Sequence, residues 1–262
     1  MSTNKQSPKG RLFLVPTPLD FGCATEAPLA DALPLHTIEA AARITHWVCE
    51  NAKSCRAFLK RIDTIAPLVA PLQQQTITEL PREVHKKGDH NPQSTGNADA
   101  TALIAAALQG HDVGLVSEAG MPAIADPGSS IVRAAHDAGV EVVALVGPCS
   151  LLLALAASGL NGQNFAFVGY VPSDAGQRTA RLRELEQLAL RNGQTQIFIE
   201  TPYRNPALLQ ALMQTLQPNT RLAISSGLTL SDAQTQSRLV KQWKPLNTTL
   251  DNRTPMVFAI GR

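Results

Sequence analysis

Two periodicities alternate along the chain. Arg11–Pro16 (RLFLVP) is a short apolar run stopped by Pro16-Thr-Pro18, which predicts a first, central strand ending in a rigid turn. Helical spacing follows over Leu35–Ile44, and His46–Glu50 predicts a second strand. Over Ala52–Ile62, Cys55, Phe58, Leu59 and Ile62 share one side of an amphipathic helix. Thr76–Leu80 predicts another strand. The stretch Arg82–Asn97 is polar, with Pro, Gly and His, and predicts an exposed loop.

From Ala98 the pattern is more regular. Ala98–Leu108 predicts an Ala-rich helix ended by Gly110, and Asp112–Ser117 a buried strand. Asp126 is expected to cap the next helix, with Pro127 at its first position, and Gly139 to close it. Val140–Val146 predicts the following strand. Strand, helix and strand in this order predict a right-handed βαβ unit in a parallel sheet. Asn161–Phe165 is turn-rich. Beyond it, strands are expected at Phe165–Tyr170, Gln194–Thr201 and Arg221–Gly227, and helices at Gln177–Leu190 and Pro206–Leu216. Ser237–Lys241 and Pro255–Gly261 predict strands near a hairpin. The whole reads as two α/β domains, residues 1–148 with a parallel sheet and 149–262 with a mixed sheet. A cleft between them is the default binding site.

Composition narrows the function. Across 262 residues, 44% are hydrophobic, enough for sizeable cores, and 17% are charged, against a usual level of about 25%. A net charge of +2 excludes a strongly basic nucleic-acid clamp and an acidic tail protein. Aromatic residues are 4%, so a surface stacking many bases is not expected. Cys23, Cys49, Cys55 and Cys149 form no CxxC pair and read as reduced thiols. The most apolar stretch, Val140–Leu160, is broken by Gly147, Pro148 and Ser150, so no membrane span is expected. A cytoplasmic protein fits these features.

Four loops follow apolar strands: Pro16-Thr17-Pro18, Ser117–Pro122, Gly147–Ser150 and Glu200–Tyr203. Ligands of parallel α/β sheets bind at strand carboxyl ends, and small residues and prolines there let a ligand approach the backbone. Taken alone, each loop reads more readily as a plain turn. Asp126-Pro127-Gly128 reads either as a simple cap or as an anion site at a helix start. No Gly-rich loop is followed by a Walker lysine, and no GxGxxG occurs. No histidine follows His136, so a serine hydrolase triad in elbow order is disfavoured. His85, Asp89 and His90 could ligate a metal, and Arg82, Lys86 and Lys87 could touch phosphate. A solvated loop is the reading preferred for both sets, and no metal is expected.

Three segments carry a resemblance: Leu14–Leu19 (LVPTPL), Gly114–Leu160, which includes GLVSEAGMPAIADPG, and Gln196–Leu212 (QIFIETPYRNPALLQAL). Together they resemble the tetrapyrrole methylase family, in particular its branch acting on small-subunit ribosomal RNA. The resemblance implies two α/β domains, S-adenosylmethionine as cofactor in the cleft between them, and a homodimer. It also places the cofactor contacts. Pro16, Thr17 and Pro18 would floor the cleft. Ser117, Glu118, Ala119, Gly120 and Pro122 would lie beside the methionine part, with Asp126 nearby. Ser150 and Leu151 would follow. Gly169, Tyr170, Glu200, Thr201, Pro255 and Met256 would surround the adenosine.

The branch usually carries Glu-Asp-Thr-Arg-His-Thr after its second strand, where this chain has Glu50-Asn-Ala-Lys-Ser-Cys55. Pro18-Leu-Asp-Phe replaces a usual Pro-Ile-Gly-Asn. The branch's C-terminal helical extension is expected to be missing after Arg262. RNA ribose methylation is the favoured reaction. Methylation of a tetrapyrrole or other small molecule, and a non-catalytic ligand-binding module, stay open. If the acceptor is a ribose hydroxyl, a group must take its proton. Glu118, Glu200 and Lys53 are candidates, and the sequence selects none, leaving the catalytic residue unassigned.

Overall fold

The computed structural model describes residues 8–81, 96–243 and 250–262. Arg82, His85, Lys86, Lys87, Asp89 and His90, which the sequence reading assigns to a solvated loop, lie outside them. The chain divides into two compact units, one of residues up to Pro18 with Pro28–Pro148, the other of Leu19–Ala27 with Cys149–Arg262.

In the first unit, β1 (Arg11–Leu14), β2 (His46–Cys49), β3 (Thr76–Glu79), β4 (Val113–Val116) and β5 (Glu141–Ala144) form one sheet in the order β3-β2-β4-β1-β5. Every pairing in it is parallel. The two-residue pleat sorts the side chains. Phe13, Val15, Trp47, Cys49 and Val116 pack with α1 (Leu29–Ala32), α2 (Leu35–Ala42) and α3 (Ala52–Asp63). Leu12, Val48, Val113 and Leu115 pack with α4 (Gly96–Leu103), α5 (Ala105–Leu108) and α6 (Ser129–Asp137). A sheet covered on both faces explains why its strands read as continuous apolar runs. Gly114 leaves room for the Trp47 ring, which would lie 2.5 Å from a Cβ at that position.

Asn51 caps α3, its side chain accepting from the Lys53 and Ser54 N–H groups at 2.8 and 3.4 Å. Asn51→Ala is therefore expected to cost about 1 kcal/mol. A chemical denaturation midpoint equal to that of the wild type would refute this.

Several details differ from the sequence reading. β1 is interior rather than central, since β4 holds the middle position. β4 and β5 are not neighbours, because β1 lies between them. The Ala-rich helix is two pieces, α4 and α5, interrupted at the fully buried Ile104, and its start at Gly96 takes the end of the expected loop. Asp126 does not cap α6. Gly128 occupies the cap at φ 137° with no side-chain cap bond, and left-handed turns at Ala123 and Ala125 carry Asp126 and Pro127 outside the helix.

The second unit holds β6 (Phe165–Tyr170), β7 (Thr195–Glu200), β8 (Arg221–Ser226), β9 (Gln234–Leu239) and β10 (Met256–Gly261), in the order β6-β7-β10-β8-β9. β6 and β7 are parallel and the other pairs antiparallel. Met256, Phe258 and Ile260 pack with α8 (Ala175–Asn192) and α9 (Asn205–Thr215), while Val257 and Ala259 pack with α7 (Ser150–Ser158). The expected Ser237–Lys241 strand is shifted. β9 ends at Leu239, and Val240–Trp243 form a short helix, α10. β10 does not lie beside β9. All six of its residues are buried, and this most apolar strand takes the middle of the sheet. Among the described residues, no helix is long and apolar enough to cross a membrane.

Candidate functional site

The order of the first sheet creates a switch point. The chain leaves β1 through α1 and α2 toward β2 on one side, and leaves β4 through α6 toward β5 on the other. The loops after β1 and β4 are therefore neighbours whose onward chains diverge, the place where open α/β sheets bind ligands. These loops are joined. The Thr17 N–H donates to Gly120 O at 3.0 Å, the Gly120 N–H to Thr17 O at 3.1 Å, and Thr17 Oγ1 to Ser117 O at 3.2 Å. Pro16, Pro18 and Pro122 are buried beside them. The loop after β5 closes against the same wall, where a Cβ on Gly147 would stand 2.2 Å from Pro16 Cγ.

The loop from Gly120 to Gly128 is strained. Gly120, Ala123, Ala125 and Gly128 have φ of 79°, 63°, 65° and 137°. Left-handed alanines are costly, and such strain concentrates at ligand sites. Between these turns, Asp126 is half-buried. Burial first, then the charges of Glu50 and Glu118, push its carboxyl up to about 7, against a smaller opposing pull from Ser117. Ser117 Oγ is buried and finds no partner of normal hydrogen-bond geometry. Ser54 Oγ reaches Glu118 Oε1 at 3.4 Å, and Ala119 is half-buried. The sequence marks Glu50 only as the glutamate it shares with the family's Glu-Asp-Thr-Arg-His-Thr segment, and its one-dimensional pattern does not bring it to Asp126.

In the second unit, pairing register gathers the expected residues at one sheet edge. Tyr170 ends β6 opposite Ile199, and Glu200 ends β7 opposite Met256 of β10. Gly169, at φ 73°, lies where the β6 register shifts. Pro255 is exposed and Met256 buried. Met256 also helps wall a cavity of about 220 Å³ with Ser226, Gly227, Asp232 and Thr254. The Glu200 side chain is 1% exposed, and its contacts gather on one oxygen. Its Oε1 accepts from the Thr201 N–H at 2.7 Å, from Thr201 Oγ1 at 3.2 Å and from Arg204 Nε at 2.9 Å, with Arg204 Nη2 at 2.7 Å. It anchors the turn and is poorly placed to take a proton from a substrate. Ser150 and Leu151 open α7. No side chain caps that helix, so its first N–H groups are open to an anion, whereas the Leu151 side chain is spent in the core.

A parallel sheet with a Gly- and Pro-walled switch point, followed by a mixed sheet, defines a two-unit α/β ligand-binding protein. The model of the tetrapyrrole (corrin/porphyrin) methylases matches residues 35–242, and the chain belongs to that family. Among curated relatives, "Ribosomal RNA small subunit methyltransferase I" of Mesorhizobium japonicum is 33% identical over 218 residues, 83% of this chain and 63% of that protein. The protein of the same name from Escherichia coli O157:H7 is 29% identical over 221 residues, 84% and 66% of the two chains. The chain thus spans slightly less than two thirds of the length of these relatives.

Among solved structures, the methyltransferase CobJ aligns with a TM-score of 0.55 at 19% identity, covering 97% of this chain and 94% of that one. Uroporphyrin-III C-methyl transferase from Thermus thermophilus, complexed with S-adenyl homocysteine, aligns with a TM-score of 0.53 at 16% identity, covering 97% and 98%. At these identities they establish the fold, and the α/β architecture expected from the sequence is the one observed.

Proposed function

We propose that this protein is an S-adenosylmethionine-dependent methyltransferase that methylates a ribose 2'-hydroxyl of small-subunit ribosomal RNA. The observation that carries the reading is the pinned pair of loops at the switch point, Thr17 against Gly120. It offers a rigid floor for a ligand in a chain related to proteins named as methyltransferases of small-subunit ribosomal RNA. The residues suit the cofactor. The buried Ser117 Oγ beside Asp126 offers a polar contact, the Glu118 and Asp126 carboxylates suit a cation, and the uncapped start of α7 suits a carboxylate.

Residues 1–148 would supply Pro16, Thr17, Pro18, Ser117–Pro122 and Asp126. Residues 149–262 would supply Ser150, the Leu151 backbone, Gly169, Tyr170, Glu200, Thr201, Pro255 and Met256. When bound, S-adenosylmethionine supplies a methyl group already activated on its sulfonium. The protein's own work is then to fix the acceptor in line and exclude water. Asp126 joins Glu118 and Lys53 as a group able to take the hydroxyl proton, and its proton affinity near neutrality suits that role. Glu200 leaves that set, because its carboxylate is buried and ion-paired with Arg204. A cytoplasmic homodimer completes the reading, and the exposed Leu152 and Leu153 on α7 are apolar surface that a second copy would cover.

Titration calorimetry with S-adenosylmethionine tests the cofactor assignment. Saturable binding is expected. No binding at about 1 mM, weak by ordinary standards, would overturn it.

A further inference from the structure

The chain has two tyrosines and two tryptophans. Both tryptophans are buried, as are Phe13, Phe58, Phe198 and Phe258. Both tyrosines are exposed, Tyr170 by 58% and Tyr203 by 68%. Tyr170 ends β6, and Tyr203 follows the carboxyl end of its parallel neighbour β7. A chain poor in aromatic surface thus places its two most polar rings on one edge, the edge that carries Glu200 and Thr201.

The backbone that carries Tyr203 is well fixed. It sits in a 3-10 turn, Pro202–Arg204, with Pro202 fixing the entry and the Arg204 N–H donating to Thr201 O at 2.9 Å. The next residue, Asn205, is fully buried, and its Nδ2 donates to Thr254 O at 3.2 Å. Arg204 lies with its guanidinium carbon 5.5 Å from the Tyr203 ring centroid. The buried Glu200 carboxylate neutralises and orients that guanidinium. Arg204 is therefore committed to the turn and to the ring rather than to a distant phosphate.

We propose that Tyr203 is a stacking platform for an unpaired base of the substrate RNA, steadied from below by the Glu200–Arg204 pair. The inference rests on the RNA reading above. An unstacked nucleobase offers a flat π face, and a ring carried on a fixed turn binds it at reduced ordering cost. With net charge only +2, the protein has little electrostatic hold on RNA, so stacking carries a larger share of the affinity.

The test uses the full chain, Tyr203→Ala and Tyr203→Phe. Binding of a fluorescein-labelled single-stranded oligoribonucleotide of about 12 nucleotides is followed by anisotropy at several salt concentrations. Calorimetry with S-adenosylmethionine runs in parallel. Tyr203→Ala is expected to weaken RNA binding by about tenfold to 100-fold, with Tyr203→Phe close to wild type. The salt slope and cofactor affinity should not move, since no phosphate contact is lost. Unchanged RNA binding in Tyr203→Ala would overturn the inference and leave the RNA reading standing. An equal loss in Tyr203→Phe would overturn it by assigning the effect to the hydroxyl, and a loss of cofactor affinity would assign the ring to the cofactor. Failure of the wild type to bind RNA would remove the RNA reading and this inference together.

Discussion

Gly147→Ala is expected to lose cofactor binding by on the order of 100-fold and to cost roughly 3 kcal/mol of stability. The added methyl would stand 2.2 Å from Pro16 Cγ, 2.4 Å from Pro16 Cβ and 3.0 Å from Leu33 Cδ2. None of these atoms can easily move. The Pro16 ring is closed on the backbone, and the following residue, Thr17, is tied to Gly120 by two backbone hydrogen bonds. Relief therefore requires shifting the loop after β1, the floor of the proposed site. Leu33→Ala is the control, since it vacates a neighbouring core position without touching Pro16. Thermal unfolding and calorimetry on both variants check the point. A Gly147→Ala protein with wild-type affinity would show that the three loops do not form one rigid wall.

Asp126→Asn is expected to stabilise the ligand-free protein at pH 8 by a few kcal/mol and to have little effect at pH 4. The carboxyl has an ordinary value of 3.8 and is pushed to about 7 in the fold, mainly by burial and then by Glu50 and Glu118. The folded state therefore holds this proton more tightly than the unfolded chain. That contribution is fully present below about pH 4 and is lost as pH rises through 7, on the order of 4 kcal/mol at most. Asparagine keeps the shape without the charge. The difference in unfolding free energy between variant and wild type, measured from pH 4 to pH 8, should rise steadily. A flat difference would mean that Asp126 ionises freely. The same buried charge is what a cationic ligand would stabilise, so the gain in stability should come with weaker cofactor binding.

Much of the fold was legible because its signals are local. The run RLFLVP, the buried strand at Asp112–Ser117 and the face formed by Cys55, Phe58, Leu59 and Ile62 each announce their element. What escaped depends on partners distant in sequence. The unbroken apolar run Met256–Gly261 signals burial on both faces, but which strands flank β10, namely β7 and β8, is not encoded in that window. Asp126-Pro127 has the pattern of a helix start, yet the left-handed alanines at 123 and 125 place the start at Ser129. The candidate loops could be named from their glycines and prolines. Their joining through Thr17 and Gly120, and the capture of Glu200 by Arg204, are contacts that spacing alone does not encode, although Glu200 and Arg204 stand four residues apart.

Transfer of tritium from methyl-labelled S-adenosylmethionine to unmethylated small ribosomal subunits, followed by alkaline hydrolysis of the RNA, tests the central claim most directly. The 2'-hydroxyl is the group that attacks the neighbouring phosphodiester in alkali, so its methylation blocks cleavage at that linkage. The proposed activity predicts label in a dinucleotide that survives hydrolysis. Cofactor binding with no label in the RNA, or label released only as mononucleotide, would contradict it.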